Sequence, residues 1–321
     1  MPDKTGSPEY SDDNLAQQFA ERYKNSLRHV KDWNRWLEWN GSQWVEDRTV
    51  HTFEKARSLC REIAATAAPK IALTLTSAKK RADVKNMARG DRKLAPVVGQ
   101  WNGDPMLLNT PLGISNMSTS VSYTLQTRRY DAYMTKITMV GPDTSCRIDL
   151  WNAFLRTVAN GDEELVAYLQ RVCGYCCTGS TNEHAMSFLY GAGANGKSNT
   201  VSQILGDYHK PAHPETFAML RGAHLVTVNE IEEGRRRAEA KIKSMTGGDT
   251  ISARFMHQDF FQYQPQFKLM VAGNHKPSLQ SVDEAVKRRM NLIPFTVTIP
   301  TDKRGPQLTE KLRAERPGIL H

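Results

Sequence analysis

No run of apolar residues in this 321-residue chain approaches the ~20 needed to span a bilayer as a helix, so a helical membrane span is excluded. Met1 to Asp13 is polar and acidic and lacks the apolar core of a secretory signal. Cysteine is sparse. The five present, Cys60, Cys146, Cys173, Cys176 and Cys177, are odd in number and lack framework spacing, which excludes a disulfide scaffold and leaves reduced thiols. Cys173-Gly174-Tyr175-Cys176 has redox or zinc spacing, but no second Cys/His pair stands at ligand distance in sequence. Packing at the end of a helix is the expected role, and no structural metal is expected. Internal repeats and low-complexity tracts are also missing, and so is any acidic excess. With 43 Lys and Arg against 34 Asp and Glu, the net charge of +9 points to a polyanionic partner. Basic clusters at Lys79-Lys80-Arg81, Arg235-Arg236-Arg237 and Lys287-Arg288-Arg289 serve either phosphates or as solvated faces. The expectation is an intracellular globular chain long enough for two domains.

What is present is dominated by one octapeptide. Gly191-Ala192-Gly193-Ala194-Asn195-Gly196-Lys197-Ser198 fills every fixed position of the phosphate-cradling pattern G-x-x-x-x-G-K-[ST]. Ala185 to Tyr190 before it reads as a buried strand, and Asn199 to Leu205 after it reads as a helix stopped by Gly206. Glycines allow the backbone N–H groups to converge on phosphates, and the helix start adds a favourable dipole. Lys197 would reach the terminal phosphates and the Ser198 hydroxyl would ligate Mg²⁺, so ATP is the expected ligand.

Along the rest of the chain, Asp12 to Val30 carries Leu15, Phe19, Tyr23 and Leu27 on one helical face. Asn40-Gly41 between aromatic runs predicts a hairpin, whose tryptophans either stack on bases or fill a small core. Helices are predicted over Thr52–Ala68, interrupted at Pro69, and over Ile71–Ala88. Trp101 to Val140 is richer in turns, with β-like runs at 106–108 and 137–140. Leu150–Asn160 and Glu164–Val172 form a helical pair turned at Gly161-Asp162, and Gly, Ser, Thr and Asn cluster from Gly174 to Asn182 at the predicted domain boundary.

Downstream, Leu225 to Glu230 is an apolar strand ending in a carboxylate, with Glu232 two positions on. A strand-end acid beside a phosphate loop holds Mg²⁺ or orients the attacking water, which makes Glu230 the first candidate and Glu232 the second. A second buried strand, Phe267 to Ala272, ends at Gly273-Asn274; Asn274 suits contact with the γ-phosphate or its water, or else a turn cap. Between these strands, Ile251–Met256 and Phe260–Tyr263 read as a hairpin with Arg254 and His257 near its tip, where either would meet nucleic-acid phosphates. The other role open to Arg254 is an ion pair with Asp249. Arg288-Arg289 precedes a further strand, Met290 to Phe295, and suits an arginine finger acting across a subunit boundary.

Taken in order, Gly191–Ser198, Glu230-Ile231-Glu232, Lys243 with Thr246-Gly247-Gly248-Asp249 and Arg254, Gly273-Asn274-His275-Lys276-Pro277, and Arg288-Arg289 to Pro294-Phe295 resemble the superfamily 3 helicase module. The set is most similar to the phage/plasmid primase-helicase family related to the poxvirus primase-helicase. Trp39–Trp44, Leu107-Leu108-Asn109-Thr110-Pro111 and Glu164–Gly179 resemble the domain preceding the helicase in that family. The resemblance implies an AAA+ type α/β P-loop ATPase core over 177–321, after a mostly helical N-terminal domain with collar helices over 1–176. It implies ATP and Mg²⁺ as cofactors, nucleotide contacts along Gly191–Asn199, metal contacts from Ser198 and Glu230, Walker B roles for Glu230 and Glu232, a sensor role for Asn274 and a finger at Arg288 or Arg289. It also implies a DNA-contacting segment from Lys243 to Tyr263, with Lys243, Arg254 and His257 as candidates, in the pore of a homo-hexamer.

The implied activity is ATP-dependent DNA unwinding in phage, plasmid or viral replication. The implied substrate is single-stranded or forked DNA, with an initiation or primase partner, in the cytoplasm of a bacterium or phage-infected cell and away from membranes. Two departures qualify this. Gly206 to Leu225 is shorter than usual in the family, which raises the alternative of a catalytically weak nucleotide- and DNA-binding replication subunit. The chain stops at His321, where family members usually continue, and no primase domain precedes, so a fragment or shortened protein is expected.

Overall fold

The computed structural model describes residues 8–118, 125–126, 132–191, 214–229, 245–255, 259–276, 284–299 and 307–321. Two compact units emerge: one holds the chain up to Gly103 together with Arg129–Thr135, the other Asp104–Arg128 and Lys136–His321.

In the first unit, α1 (Asp12–Tyr23) starts at Ser11, whose Oγ accepts the Asn14 N–H at 3.1 Å, with Asp12 and Asp13 at the positive end of the dipole. Leu15 and Phe19 are fully buried, as their helical spacing predicts. The helix nevertheless ends before Leu27. Leu27–Val30 is instead strand β1, antiparallel to β2 (Arg35–Trp39). All four β1 residues are buried, which a one-sided surface helix could not achieve, and the strand pairing satisfies their backbone.

The Asn40-Gly41 hairpin joins β2 to β3 (Trp44–Glu46), with Trp39 opposite Trp44. Asn40 Oδ1 accepts the N–H groups of Ser42 and Gln43, and Gly41 takes φ +92°, a conformation a side chain would strain. Trp44 is 1% exposed and packs its ring against Trp101 and Tyr133, beneath the Arg28 guanidinium at 5.0 Å. For Trp44, and for the buried Trp33 and Trp36, the choice between core and base-stacking falls to the core.

Asp47 then accepts the N–H groups of His51 and Thr52 and opens α2 (His51–Ala64). Pro69 opens α3 (Pro69–Leu75) from its first turn, where its missing N–H costs nothing. Ser77 Oγ accepts the Lys80 N–H and starts α4 (Ala78–Ala88), so the single helix expected from Ile71 is two.

The second unit opens with an antiparallel sheet of β4 (Leu107–Thr110), β5 (Gly113–Asn116) and β6 (Leu125–Gln126). Residues 137–140 form no strand. Next comes the expected helical pair, α5 (Asp149–Val158) and α6 (Glu163–Cys177), turned at Gly161 with φ +77° and capped by Asp162.

After the pair, β7 (Met186–Tyr190), helix α7 (Pro214–Met219) and β8 (Leu225–Asn229) lead to a hairpin of β9 (Ile251–Ala253) and β10 (Phe261–Tyr263). β11 (Lys268–Gly273), α8 (Glu284–Lys287), β12 (Met290–Pro294) and α9 (Leu308–Leu320) complete the unit.

β12, β7, β11 and β8, in that spatial order, form one wholly parallel sheet. Its central strand β11 reads as a continuous apolar run and is buried along Lys268–Ala272, as a parallel strand between two neighbours should be. Trp151, Phe154 and Leu155 of α5 and Leu169 of α6 share a buried cluster with Leu189, Leu225, Met270 and Ile293 of the sheet and Leu312 of α9.

Candidate nucleotide-binding site

In open parallel sheets ligands bind beyond the carboxyl ends of the strands, where connections leave in opposite directions. From β7 the chain crosses to β8, returns to β11 between them, and passes to β12 on the far side of β7. The crevice therefore lies at the carboxyl ends of β7 and β11. Registration makes these ends level: Tyr190 is opposite both Gly273 and Pro294, and Asn229 is opposite Ala272. Gly191, the first glycine of the phosphate-loop pattern, and Asn274 thus leave the sheet side by side, about one strand spacing of 4.8 Å apart.

Gly191 is buried with φ +153°, a conformation essentially reserved for glycine, as the chain turns out of β7. Gly273 is also a position for glycine alone: a Cβ there would lie 2.9 Å from the tip of the buried Phe188 ring on β7. Asn274 is exposed at the edge, able to present its amide to a ligand. One residue the sequence pattern did not single out joins them. Lys276 places its ammonium 5.9 Å over the ring of Tyr190, the residue immediately before the loop, and its signal was its position just past a strand end at this edge. An edge made of these residues fits an anion: one cation, one exposed amide and a glycine turn.

The other end of the same sheet holds a second group of residues. The Met186 N–H donates to the Arg289 carbonyl at 2.7 Å, and Arg289 Nη1 donates to Thr246 Oγ1 at 3.5 Å. His184 Nδ1 meets the Thr246 carbonyl at 3.2 Å, and Gly248, at φ +74°, passes against that imidazole. Arg288 is exposed beside them. The five residues of β7, roughly 16 Å of parallel strand, separate this group from Gly191. An arginine side chain does not cross that span, so Arg288 and Arg289 lie beyond reach of their own chain's Gly191.

Arg254 sits at the end of β9. Its guanidinium lies 4.9 Å over the ring of Phe260, which is 61% exposed, and among the described residues it forms no ion pair with Asp249 or any other acid. Behind it, Phe255 and Phe261 stack at 5.6 Å, and the Tyr263 hydroxyl donates to the Phe217 carbonyl of α7 at 2.7 Å. The remaining candidates, Ala192, Gly193, Ala194, Asn195, Gly196, Lys197, Ser198, Asn199, Glu230, Glu232, Lys243 and His257, lie outside the described residues.

All five cysteines are free thiols. Burial pushes Cys176 up to about 12 and Cys177 up to about 11, which suits packing at the end of α6. Among the described residues no group of three or more His, Cys, Asp or Glu could hold a metal ion, and no helix is long and apolar enough to cross a membrane.

Residues 16–160 match the family model described as D5 N terminal like, and residues 189–289 match a family of unknown function, DUF5906. The chain is 30% identical over 162 residues to the candidate helicase L207/L206 of Acanthamoeba polyphaga mimivirus, covering 45% of this chain and 17% of that protein. It is 27% identical over 161 residues to the candidate helicase 022R of Frog virus 3, covering 44% and 16%. The chain thus spans less than a fifth of the length of the curated relatives it matches. The solved apo structure of the NrS-1 C-terminal region (305–718) superposes with a TM-score of 0.57 at 9% identity, over 97% of this chain and 67% of that one. At that identity the likeness concerns the fold: a mixed α/β arrangement with a parallel sheet.

Proposed function

We propose that this chain is the ATP-hydrolysing motor part of a DNA helicase acting in replication, built on an AAA+ type P-loop core of the superfamily 3 kind. The observation that carries the reading is the level carboxyl edge of β7, β11 and β8, from which Gly191 and Asn274 depart together. Viral relatives named as candidate helicases support the same direction. Lys197 neutralises the terminal phosphates, and Ser198 and Glu230 are the residues that would hold Mg²⁺. When bound, Mg²⁺ supplies charge neutralisation across the transferring phosphoryl group. Glu230, with Glu232 as its alternate, takes a proton from the attacking water, and the Asn274 amide orients that water. Arg288 or Arg289, on the sheet edge opposite Gly191, serves a neighbouring subunit of a homo-hexamer. Arg254, His257 and Lys243 contact DNA.

The decisive test is ATP turnover with and without single-stranded DNA. Lys197→Ala is expected to abolish DNA-stimulated turnover with an unchanged melting temperature, because it removes a phosphate-facing charge rather than a core contact. Wild-type turnover in that variant would sink the reading. A second reading, a nucleotide- and DNA-binding replication subunit of weak turnover, is favoured by one observation. In the sequence, Gly206 to Leu225 is shorter than usual in the family that the motifs resemble, which leaves little chain for a further strand of the core. Nucleotide binding without DNA-stimulated hydrolysis would select it.

A further inference from the structure

We propose that the α2/α4 face of the first unit is a binding site for the phosphate backbone of single-stranded DNA, centred on Arg81, Lys85 and Arg89. These three residues recur every fourth position along α4, so they form one row, about 6 Å per step along the axis. That spacing is of the order of the separation between successive phosphates on an extended strand. The row flanks the buried Val84 and Ala88 on the side facing α2. Lys85 Nζ lies 5.8 Å over the Phe53 ring of α2. Arg81 bears on the buried Cys60 thiol of the same helix, and Arg89 on the His29 ring of β1.

Two features mark the row as a ligand site rather than a solvated face. First, the charges are unbalanced. Neighbouring cations on other faces have partners: Lys80 pairs with Asp12, Lys93 with Glu21, Arg22 with Glu62, and Arg57 with Glu54. Among the described residues Arg81, Lys85 and Arg89 form no ion pair. Asp47 is the acid that bears on Lys85, and its oxygens already accept five hydrogen bonds at the start of α2. Like charges four apart on a helix repel.

Second, donor atoms are buried without acceptors. The Nε atoms of Arg81 and Arg89 and the Nε2 of His29 have no hydrogen-bond partner among the described residues, and His29 itself is 5% exposed. Unpaired buried donors carry a free-energy cost that an acceptor ligand drawn to them would relieve. Burial, then the charges of Arg89 and Lys85, push His29 down to about 4, so the pocket is positive without a protonated histidine. Half-buried guanidinium groups held by their own helix suit the bidentate geometry of phosphate. A membrane surface would instead favour flexible lysines beside inserted apolar side chains.

The site does not depend on ATP hydrolysis, and the test keeps the two apart. Anisotropy of a labelled 20-nucleotide single strand is measured with the full chain, without nucleotide, between 50 and 200 mM salt. The triple variant Arg81→Gln/Lys85→Gln/Arg89→Gln is expected to lose affinity roughly tenfold or more, and its salt slope is expected to fall by about 2, near 0.7 for each lost phosphate contact. Its melting temperature should be equal or higher, since the repulsive row is gone. Arg81→Lys/Arg89→Lys, which keeps the charge, should retain the salt slope. Unchanged affinity and slope in the Gln variant would overturn the site. So would displacement of the strand by inorganic phosphate at equal phosphate concentration, or stronger binding to phosphatidylserine vesicles than to DNA. Should the Gln variant melt early, Lys85→Gln alone decides, with a slope loss near 0.7 expected. Repeating the titration on Lys197→Ala separates this site from the motor, because binding there should persist whether or not the wild type hydrolyses ATP.

Discussion

At Gly273 a single hydrogen in place of a side chain sets how closely β11 approaches β7, the strand that leads into the phosphate-loop pattern. Gly273→Ala would press a methyl group onto the Phe188 ring at 2.9 Å, and overpacking of that kind costs about 1–3 kcal/mol. The expected outcome is a lower melting temperature, partly restored by adding Phe188→Leu; simple additivity of the two changes would refute the contact as the cause. At the other end of the same strand Lys268 lies over the Tyr175 ring at 4.5 Å and donates to the Thr178 carbonyl just past α6, while His224 Nδ1 meets the Cys177 carbonyl at 2.8 Å.

Burial, ahead of the nearby Lys268 charge, pushes His224 down to about 4. A histidine whose folded value lies below its ordinary 6.5 binds fewer protons folded than unfolded between those limits, so stability falls as the pH drops from 6.5 to 4. The loss is on the order of 3 kcal/mol. Melting curves at pH 7 and 4.5 should show a larger drop for the wild type than for His224→Gln, and equal drops would remove His224 as the cause. Lys268 acts in the same sense in a higher pH window. Burial holds it near 8 rather than 10.5, so stability rises through that window, and Lys268→Met should flatten the rise.

At the scale of elements, the hairpin β9–β10 alternates buried and exposed residues, with Ile251, Ala253, Phe261 and Tyr263 inward and Ser252 and Gln262 outward. The Tyr263 hydroxyl ties it to α7, which lies in the segment between the phosphate loop and β8. The end of the hairpin presents Phe260 beneath Arg254. Aromatic stacking with a base is worth about 1–3 kcal/mol, so Phe260→Ala is expected to weaken single-strand binding by roughly 5- to 150-fold. Because the ring is 61% exposed, the melting temperature should stay the same. A loss of stability with affinity unchanged would return the pair to a structural role. Elements also show how periodicity misleads. Leu27 continues the helical stripe of α1, yet pairing with β2 buries it together with its three neighbours in β1.

For the whole molecule, the parallel sheet has two ends with different chemistry. Gly191, Asn274 and Lys276 occupy the carboxyl edge, and Thr246, Arg288 and Arg289 the amino edge. The proposed finger would then act on a second copy of the chain. Mixing Arg289→Ala protein with Lys197→Ala protein should therefore restore part of the ATPase that each lacks alone, as intact sites form where the two meet. No recovery for either arginine, with mixed oligomers shown to form, would argue against action between subunits.

Local chemistry written into consecutive residues was legible in the sequence. The strand before the phosphate-loop pattern, the Asn40-Gly41 turn, the α5–α6 pair with its Gly161 turn and the β9–β10 hairpin all follow from side-chain period and turn preference, which act over a few residues. What tertiary structure decided is which distant residues meet. Register across β12, β7, β11 and β8 brings Gly191 level with Asn274 and sends Arg289 to the opposite edge. Strand pairing overrides the helical stripe at Leu27, and a four-residue spacing on α4 becomes a basic row without ion pairs among the described residues because the acids of α2 pair elsewhere, Glu54 with Arg57 and Glu62 with Arg22. These outcomes depend on partners far apart in the chain, and no local pattern encodes them.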